Sequence, residues 1–257
     1  FIENGWNVKE LLKLIVTSST YRQSSRVTDE LVARDPENRL LARGPKQRLN
    51  AEMIRDNALA LSGLLIRRIG GPSVRPYQPE GLWKQISIGG SFSSQYYVRT
   101  EGAEQYRRGL YVYWKRSLPY PSMVTFDAPS REVCTVRRPV TNTPLQALVL
   151  MNDPVYVEAA RVFAQRILAE GGSTTRARVS FAFRTCLARP PMAREHKLLN
   201  DVYEKQLARF QKDSEAAVKL IDVGDSKPPE ALNQAELAAW TAVANVLLNL
   251  DETITKR

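Results

Sequence analysis

Apolar residues recur three and four positions apart near the start of the chain and over its second half, the spacing of amphipathic helices. Asn7 with Glu10 reads as a helix start, and Val8, Leu11, Leu12, Ile15 and Val16 follow on one face as far as Thr17-Ser18-Ser19-Thr20. A polar loop with Asp35-Pro36 and Gly44-Pro45 comes next. A longer helix is then expected from Asn50 to about Ile69, burying Ile54, Ala58, Leu61, Leu65 and Ile69 and stopping at Gly70-Gly71-Pro72. From Thr141 the periodicity returns. Thr143-Pro144-Leu145-Gln146 and Asp153-Pro154 each supply a cap and a first-turn proline, the second opening a helix to Glu170 before Gly171-Gly172. Further helices are predicted over 174–188, 192–212 and 214–222. A last one, capped by Asn233 with Glu236, carries Leu237, Trp240, Ala244, Leu247 and Leu248.

Between the helical regions the pattern breaks. Residues 72–140 hold seven of the ten tyrosines, with Trp83, Trp114 and the breakers Pro72, Pro76, Pro79, Pro119 and Pro121. Lys84–Ile88, Gln95–Val98 and Leu110–Trp114 have short-strand character. The fold class predicted is therefore mainly α: one helical domain over residues 1–257, with N-terminal helices over 1–71, an irregular tyrosine-rich insertion with a few short strands over 72–140, and C-terminal helices over 141–257. A loop-rich excursion of this length inside a helical protein points to function.

Composition narrows the class without naming a reaction. At 257 residues, 43% hydrophobic and 25% charged, the chain can bury a core without disulfides. Its apolar stretches are short and carry charges, so no membrane span is expected. It begins at Phe1 with no targeting pattern, which leads to the expectation of a C-terminal part of a longer protein. One histidine, His196 in a polar helix, and two cysteines, Cys134 and Cys186, leave little room for histidine-based triads or a metal site, and none is predicted. No Cys-x-x-Cys-His exists, so the chain cannot attach a c-type haem by itself.

The net charge of +10 is uneven, +9 over residues 1–140 and +1 beyond, and arginines outnumber lysines 26 to 11. The pairs Arg67-Arg68, Arg107-Arg108 and Arg137-Arg138 suit two-pronged bonding to carboxylates or anionic ligands. Two runs carry the candidate chemistry. The loop Phe126 to Thr143 leads into a helix N-terminus and brings Arg131, Arg137, Arg138 and Asn142, an arrangement suited to an anion. Asp127 and Cys134 are its weak catalytic candidates; alternatively, Asp127 and the arginines anchor the loop internally. In the second run, Arg107 and Arg108 precede Tyr111, Tyr113 and Trp114, rings that could stack sugars or bases or simply pack on the core. Glu52, Arg55 and Asp56 share one helix face and read as a structural ion-pair cluster.

Taken together, Asp35 to Leu41, Ala51 to Asp56, Ser62 to Leu65, Gly70 to Trp83, Tyr106-Arg107-Arg108, the Phe126 to Arg138 loop, Thr141 to Leu148, Asn152-Asp153-Pro154 and Leu247 to Glu252 resemble the C-terminal domain of unknown function of the planctomycete cytochrome c-domain protein family. The resemblance spans nearly the whole chain. It departs at Gly109, where serine is usual, and at Met151, where leucine is usual. It implies an extracytoplasmic setting, periplasmic or secreted, with haem c on an upstream domain or partner chain, no cofactor in this chain, and polysaccharide processing nearby. It implies no catalytic residues.

The leading expectation is a ligand-handling module in carbohydrate processing, its partners being upstream domains, other chains and an anionic polysaccharide. Its binding candidates are Arg107, Arg108, Tyr111, Tyr113, Trp114, Arg131, Arg137, Arg138 and Asn142. The alternatives are an interaction scaffold without a ligand site and a hydrolase pairing Asp127 with Glu132 or Glu52. Nucleic acid ranks last, since the basic residues come as singles and pairs rather than runs.

Overall fold

The structure, a computed structural model, describes residues 1–85 and 96–256. The chain divides into two compact units, one from Phe1–Arg48 with the C-terminal strand and one from Leu49–Ile254.

In the first unit, α1 (Val8–Thr17) begins as expected, with the Asn7 side chain accepting the Glu10 N–H at 3.2 Å. Its apolar face is not buried: Val8, Leu12 and Ile15 are all exposed. α2 (Asp29–Arg34) is capped by Thr28. Asp35 is a buried polar residue of this unit, its carboxylate accepting the N–H groups of Arg39 and Leu40. Those bonds, with the Arg43 charge, outweigh burial and hold its carboxyl below the usual range. β1 (Gln47–Arg48) pairs antiparallel with β2 (Thr255–Lys256), the one ladder among the described residues.

The second unit is helical and holds the core. It comprises α3 (Ala51–Ser62), the short α4 (Leu82–Gln85) and α5 (Pro121–Thr125), then α6 (Pro144–Asn152), α7 (Pro154–Glu170), α8 (Thr175–Leu187), α9 (Ala193–Lys212), α10 (Ser214–Ile221), α11 (Gln234–Leu248) and α12 (Asp251–Ile254). α7 and α11 are the central pair, α9 packing on α11 and α3 on α7. Small residues let them approach: Ala159, Ala160 and Ala164 of α7 and Ala238, Ala239 and Ala244 of α11 are fully buried. Trp240 fills the space towards α9, its ring 4.6 Å from that of Tyr203. Mainly α is the observed class, and the helices predicted beyond Thr141 form with their caps, Asp153 accepting Val155 N–H and Asn233 accepting Glu236 N–H.

Several expectations need correction. The helix expected to reach Ile69 ends at Ser62, because Gly63 turns left-handed (φ 90°) and the Leu65 N–H reaches back to the Leu59 carbonyl at 3.0 Å. Residues 64–69 instead run extended, with Ile66 bridged to Arg107, and Ile69 is 92% exposed rather than buried. Leu110–Trp114 is not a strand. A 3-10 turn, Gly109–Tyr111, is followed by a single bridge between Val74 and Val112. The strand expected at Lys84–Ile88 starts within α4, and the rest of it lies outside the described residues, as does Gln95; no strand forms over 96–98.

Candidate functional site

α3 organises the basic surface. Glu52 and Asp56 lie one helical turn apart on it. Each holds an arginine from a distant segment. Glu52 takes both ends of the Arg138 guanidinium at 2.7 and 3.1 Å. Asp56 takes Arg108 Nε at 3.1 Å and the Gly109 N–H at 2.5 Å. Gly109 makes the second contact possible, since a Cβ there would lie 2.9 Å from the Glu52 backbone. Glycine at this position thus lets the turn rest directly on α3.

Burial works to raise the Glu52 carboxyl, but the Arg138 hydrogen bonds and the charges of Arg138 and Arg131 outweigh it and hold the group below its ordinary range. Arg131, at φ 65°, sets its guanidinium 4.5 Å over the Trp114 ring, whose Nε1 donates to the Ser130 carbonyl at 2.9 Å. Arg108 and, from a later loop, Arg131 and Arg138 therefore gather beside the first turns of α3. The expected cluster of Glu52, Arg55 and Asp56 does not form among themselves. Arg55 is buried and donates instead to the carbonyls of Arg107 and Gln105, both at 2.6 Å.

Beside this ridge opens a cleft of about 550 Å³, with Met53, Leu65 and Ile69 among its apolar lining and Arg67, Arg68, Arg108, Asp56, Asn57 and Tyr111 as polar lining, Asp56 being the carboxylate that fixes Arg108. Arg68 is held by Glu104 at 2.5 Å, yet both side chains stay about half exposed. Arg67 is exposed and has no protein partner among the described residues. Arg108 spends only Nε on Asp56. The site therefore offers guanidinium donors partly fixed in place, which suits a carboxylate or sulfate on a ligand with an apolar face.

The other candidates are placed as follows. Arg107 is fully buried and donates to the carbonyls of Pro72, Arg68 and Gly70, tying the extended segment to the core behind the cleft. Its guanidinium also covers Tyr111 at 3.8 Å, while the Tyr111 hydroxyl accepts the Gly70 N–H. Tyr113 lies under Arg75 at 4.4 Å and near Trp83. Each ring proposed for stacking thus has a guanidinium over one face. Arg137 and Asn142 are exposed and line no part of this cleft. Asp127, at φ 60°, bonds the Thr141 N–H and hydroxyl with both oxygens and closes the loop on itself. Glu132 is exposed. Asp127 is thus engaged with Thr141, and Glu52 with Arg138. Among the described residues, the His196 ring contacts the Arg176 carbonyl at 3.3 Å.

Two features escaped the sequence reading. One is a buried network in which Glu158, fully enclosed on α7, accepts from Tyr106, Tyr77 and the N–H and hydroxyl of Ser226. Arg161, one turn on, also bonds Ser226. Desolvation and the Glu158 charge push the Tyr77 hydroxyl up to about 12. The visible signal was Glu158 and Arg161 standing in an otherwise apolar helical run. The other is Asp153, legible as a cap but not as the lining of a second cleft.

A family model matches residues 1–203. The chain belongs to the PSD1 family, proteins of unknown function (DUF1553). No curated protein and no solved structure matches it. The PSD1 match contains α3, the basic cleft and the Phe126 to Thr143 loop, and ends within α9. The residues of this PSD1 chain do not fit covalent haem attachment. Cys134 is exposed and free, and Cys186 is free and half-buried, burial pushing its thiol up to about 12. No described helix of the chain is long and apolar enough to cross a membrane.

Proposed function

We propose that this PSD1 chain is a ligand-handling module whose basic cleft takes the acidic group of an anionic sugar polymer. The observation that carries this reading is the convergence of Arg67, Arg68 and Arg108 on one open cleft with an apolar lining, next to the Arg131 and Arg138 ridge. A uronic or sulfated saccharide matches both halves of that lining, acid to guanidinium and ring carbons to Met53, Ile69 and Tyr111. The setting belongs to the same proposal: an extracytoplasmic protein with haem c on another domain or chain, in carbohydrate processing. It rests on the sequence resemblance described above.

The test is a thermal-shift screen with neutral, uronic and sulfated oligosaccharides, DNA serving as control, on the wild type and on Arg67→Ala. Arg67 has no partner among the described residues, so its loss reports on the ligand. A shift from one acidic class, reduced in the variant, supports the reading. Equal shifts from neutral sugars, or none at all, reject it. A scaffold without a ligand site is the second reading. It is favoured by the internal use of Arg107 and Arg138, and it predicts no shift with any saccharide.

A further inference from the structure

A second cleft, of about 750 Å³, lies where α5 and the Tyr77–Glu80 segment meet the junction of α6 and α7. Its walls are largely apolar, with Leu145, Leu148 and Val149 on one side and Pro79 and Pro121 opposite. Leu145 and Leu148 are more than half exposed. This is the form of a small-molecule site, an apolar container with a few placed polar groups.

The charges lining it run against those of the chain as a whole. Arg99 is the lining cation, and it is already neutralised by Asp225 at 2.8 Å and lies 4.8 Å over the Tyr77 ring. The lining carboxylates are Glu80, which is exposed, and Asp153, which is half-buried. Asp153 accepts the Val155 N–H at 2.9 Å and a hydrogen bond from Ser122. A carboxylate has about four lone-pair sites, so acceptor capacity remains. In a chain of net charge +10, this is an apolar cleft with acidic polar groups.

We propose that this cleft binds an organic ammonium ion, an amine carried on a compact apolar body, with the amine on Asp153 and the body against Leu145 and Leu148. The site is separate from the basic cleft and independent of the function proposed for it. Ionised Asp153 is the form that binds. Burial raises its carboxyl to about 6, against the opposing Val155 and Ser122 hydrogen bonds and the charge of the buried Arg55. The other titratable and charged groups around it are Tyr120 and Tyr156, whose hydroxyls burial holds far above neutral pH, Tyr77, which burial pushes up to about 12, Arg99 in its pair with Asp225, and Glu80.

The experiment is calorimetric titration of the whole chain with cyclohexylamine and, separately, cyclohexanol, which has the same ring without the charge. At about pH 7.5 the amine is expected to bind at least about tenfold more tightly than the alcohol. At about pH 5, below its raised carboxyl, Asp153 is largely protonated, so amine affinity is expected to fall several-fold. Asp153→Asn keeps an effective helix cap while removing the charge, and is expected to lose the amine preference. Leu148→Lys, on an exposed lining residue, puts a like charge beside the amine and is expected to abolish binding with the fold intact. Equal affinity for amine and alcohol, unchanged amine binding in either variant, or no binding of the amine at about pH 7.5 would overturn the proposal.

Discussion

Replacing Glu158 by glutamine tests what holds the second unit together. The carboxylate is fully buried and accepts four hydrogen bonds, from Tyr106 at 2.7 Å, Tyr77 at 3.0 Å, and the Ser226 N–H and hydroxyl at 2.8 and 2.6 Å. Arg161, equally buried, lies 3.7 Å away. Gly224 closes the cage, since a Cβ there would come within 2.2 Å of the Glu158 carboxyl carbon. Glutamine is nearly the same size, so no cavity forms. It exchanges one acceptor for a donor, so one partner loses its bond, and it leaves Arg161 buried without its counter-charge. Breaking a buried pair in this way costs about 3–5 kcal/mol, a large share of the roughly 5–15 kcal/mol that stabilises a typical domain. For a unit of this size that lowers Tm by roughly 6–20 °C. Urea unfolding followed by circular dichroism measures the loss. Glu215→Gln, in an exposed pair with Lys219, serves as the control and should change nothing measurable. Combining Glu158→Gln with Arg161→Met should cost clearly less than the two single losses added, because each single variant strands the other's charge. A loss below about 1 kcal/mol for Glu158→Gln, or strict additivity in the double variant, would refute the pairing of these two residues.

Other outcomes follow from the same geometry. Gly109→Ala sets a Cβ against the Glu52 backbone and should destabilise the chain by about 1–3 kcal/mol while weakening anion binding, read by urea melts and ligand titration. Asp153, raised in the folded state, binds protons more tightly there than when unfolded, so its ionisation opposes folding. Stability from this group should therefore rise as pH falls from about 7 towards 4, and Asp153→Asn should raise Tm near neutral pH and flatten that slope in a pH series of melts. Glu52 behaves oppositely. Its folded-state carboxyl is lowered, so the stability it adds is present above its unfolded range and is lost as pH falls through the folded one; Glu52→Gln should remove that acid sensitivity.

Local signals in the sequence proved the most readable. Asn7, Asp153-Pro154 and Asn233 each mark a helix start, because a cap needs only neighbouring residues. Gly63 was harder. The apolar spacing continues through Leu65 and Ile69, and only the distant Arg107 segment, which pairs with Ile66, decides that the chain leaves the helix at Gly63. Likewise Tyr111 and Tyr113 alternate as a strand would, yet the segment finds a single bridge, Val112 with Val74, and no partner strand among the described residues. The arginines show the same limit at the site. Arg107 and Arg108 are adjacent and equivalent in sequence, but the first is buried as a tie and the second lines a cleft. Which of two neighbouring side chains faces outwards depends on the register of the 3-10 turn on α3, set by contact with Glu52 and Asp56 some fifty residues earlier.

The most direct test of the proposed function is calorimetric titration of the basic cleft with a uronic oligosaccharide at about 50 and about 200 mM salt, for the wild type and for Arg67→Ala. The account predicts saturable binding that weakens only moderately with salt, because Arg68 and Arg108 are held by Glu104 and Asp56, and that weakens at least about tenfold without Arg67. Binding that is absent, that is matched by a neutral oligosaccharide, or that ignores the loss of Arg67 would contradict it.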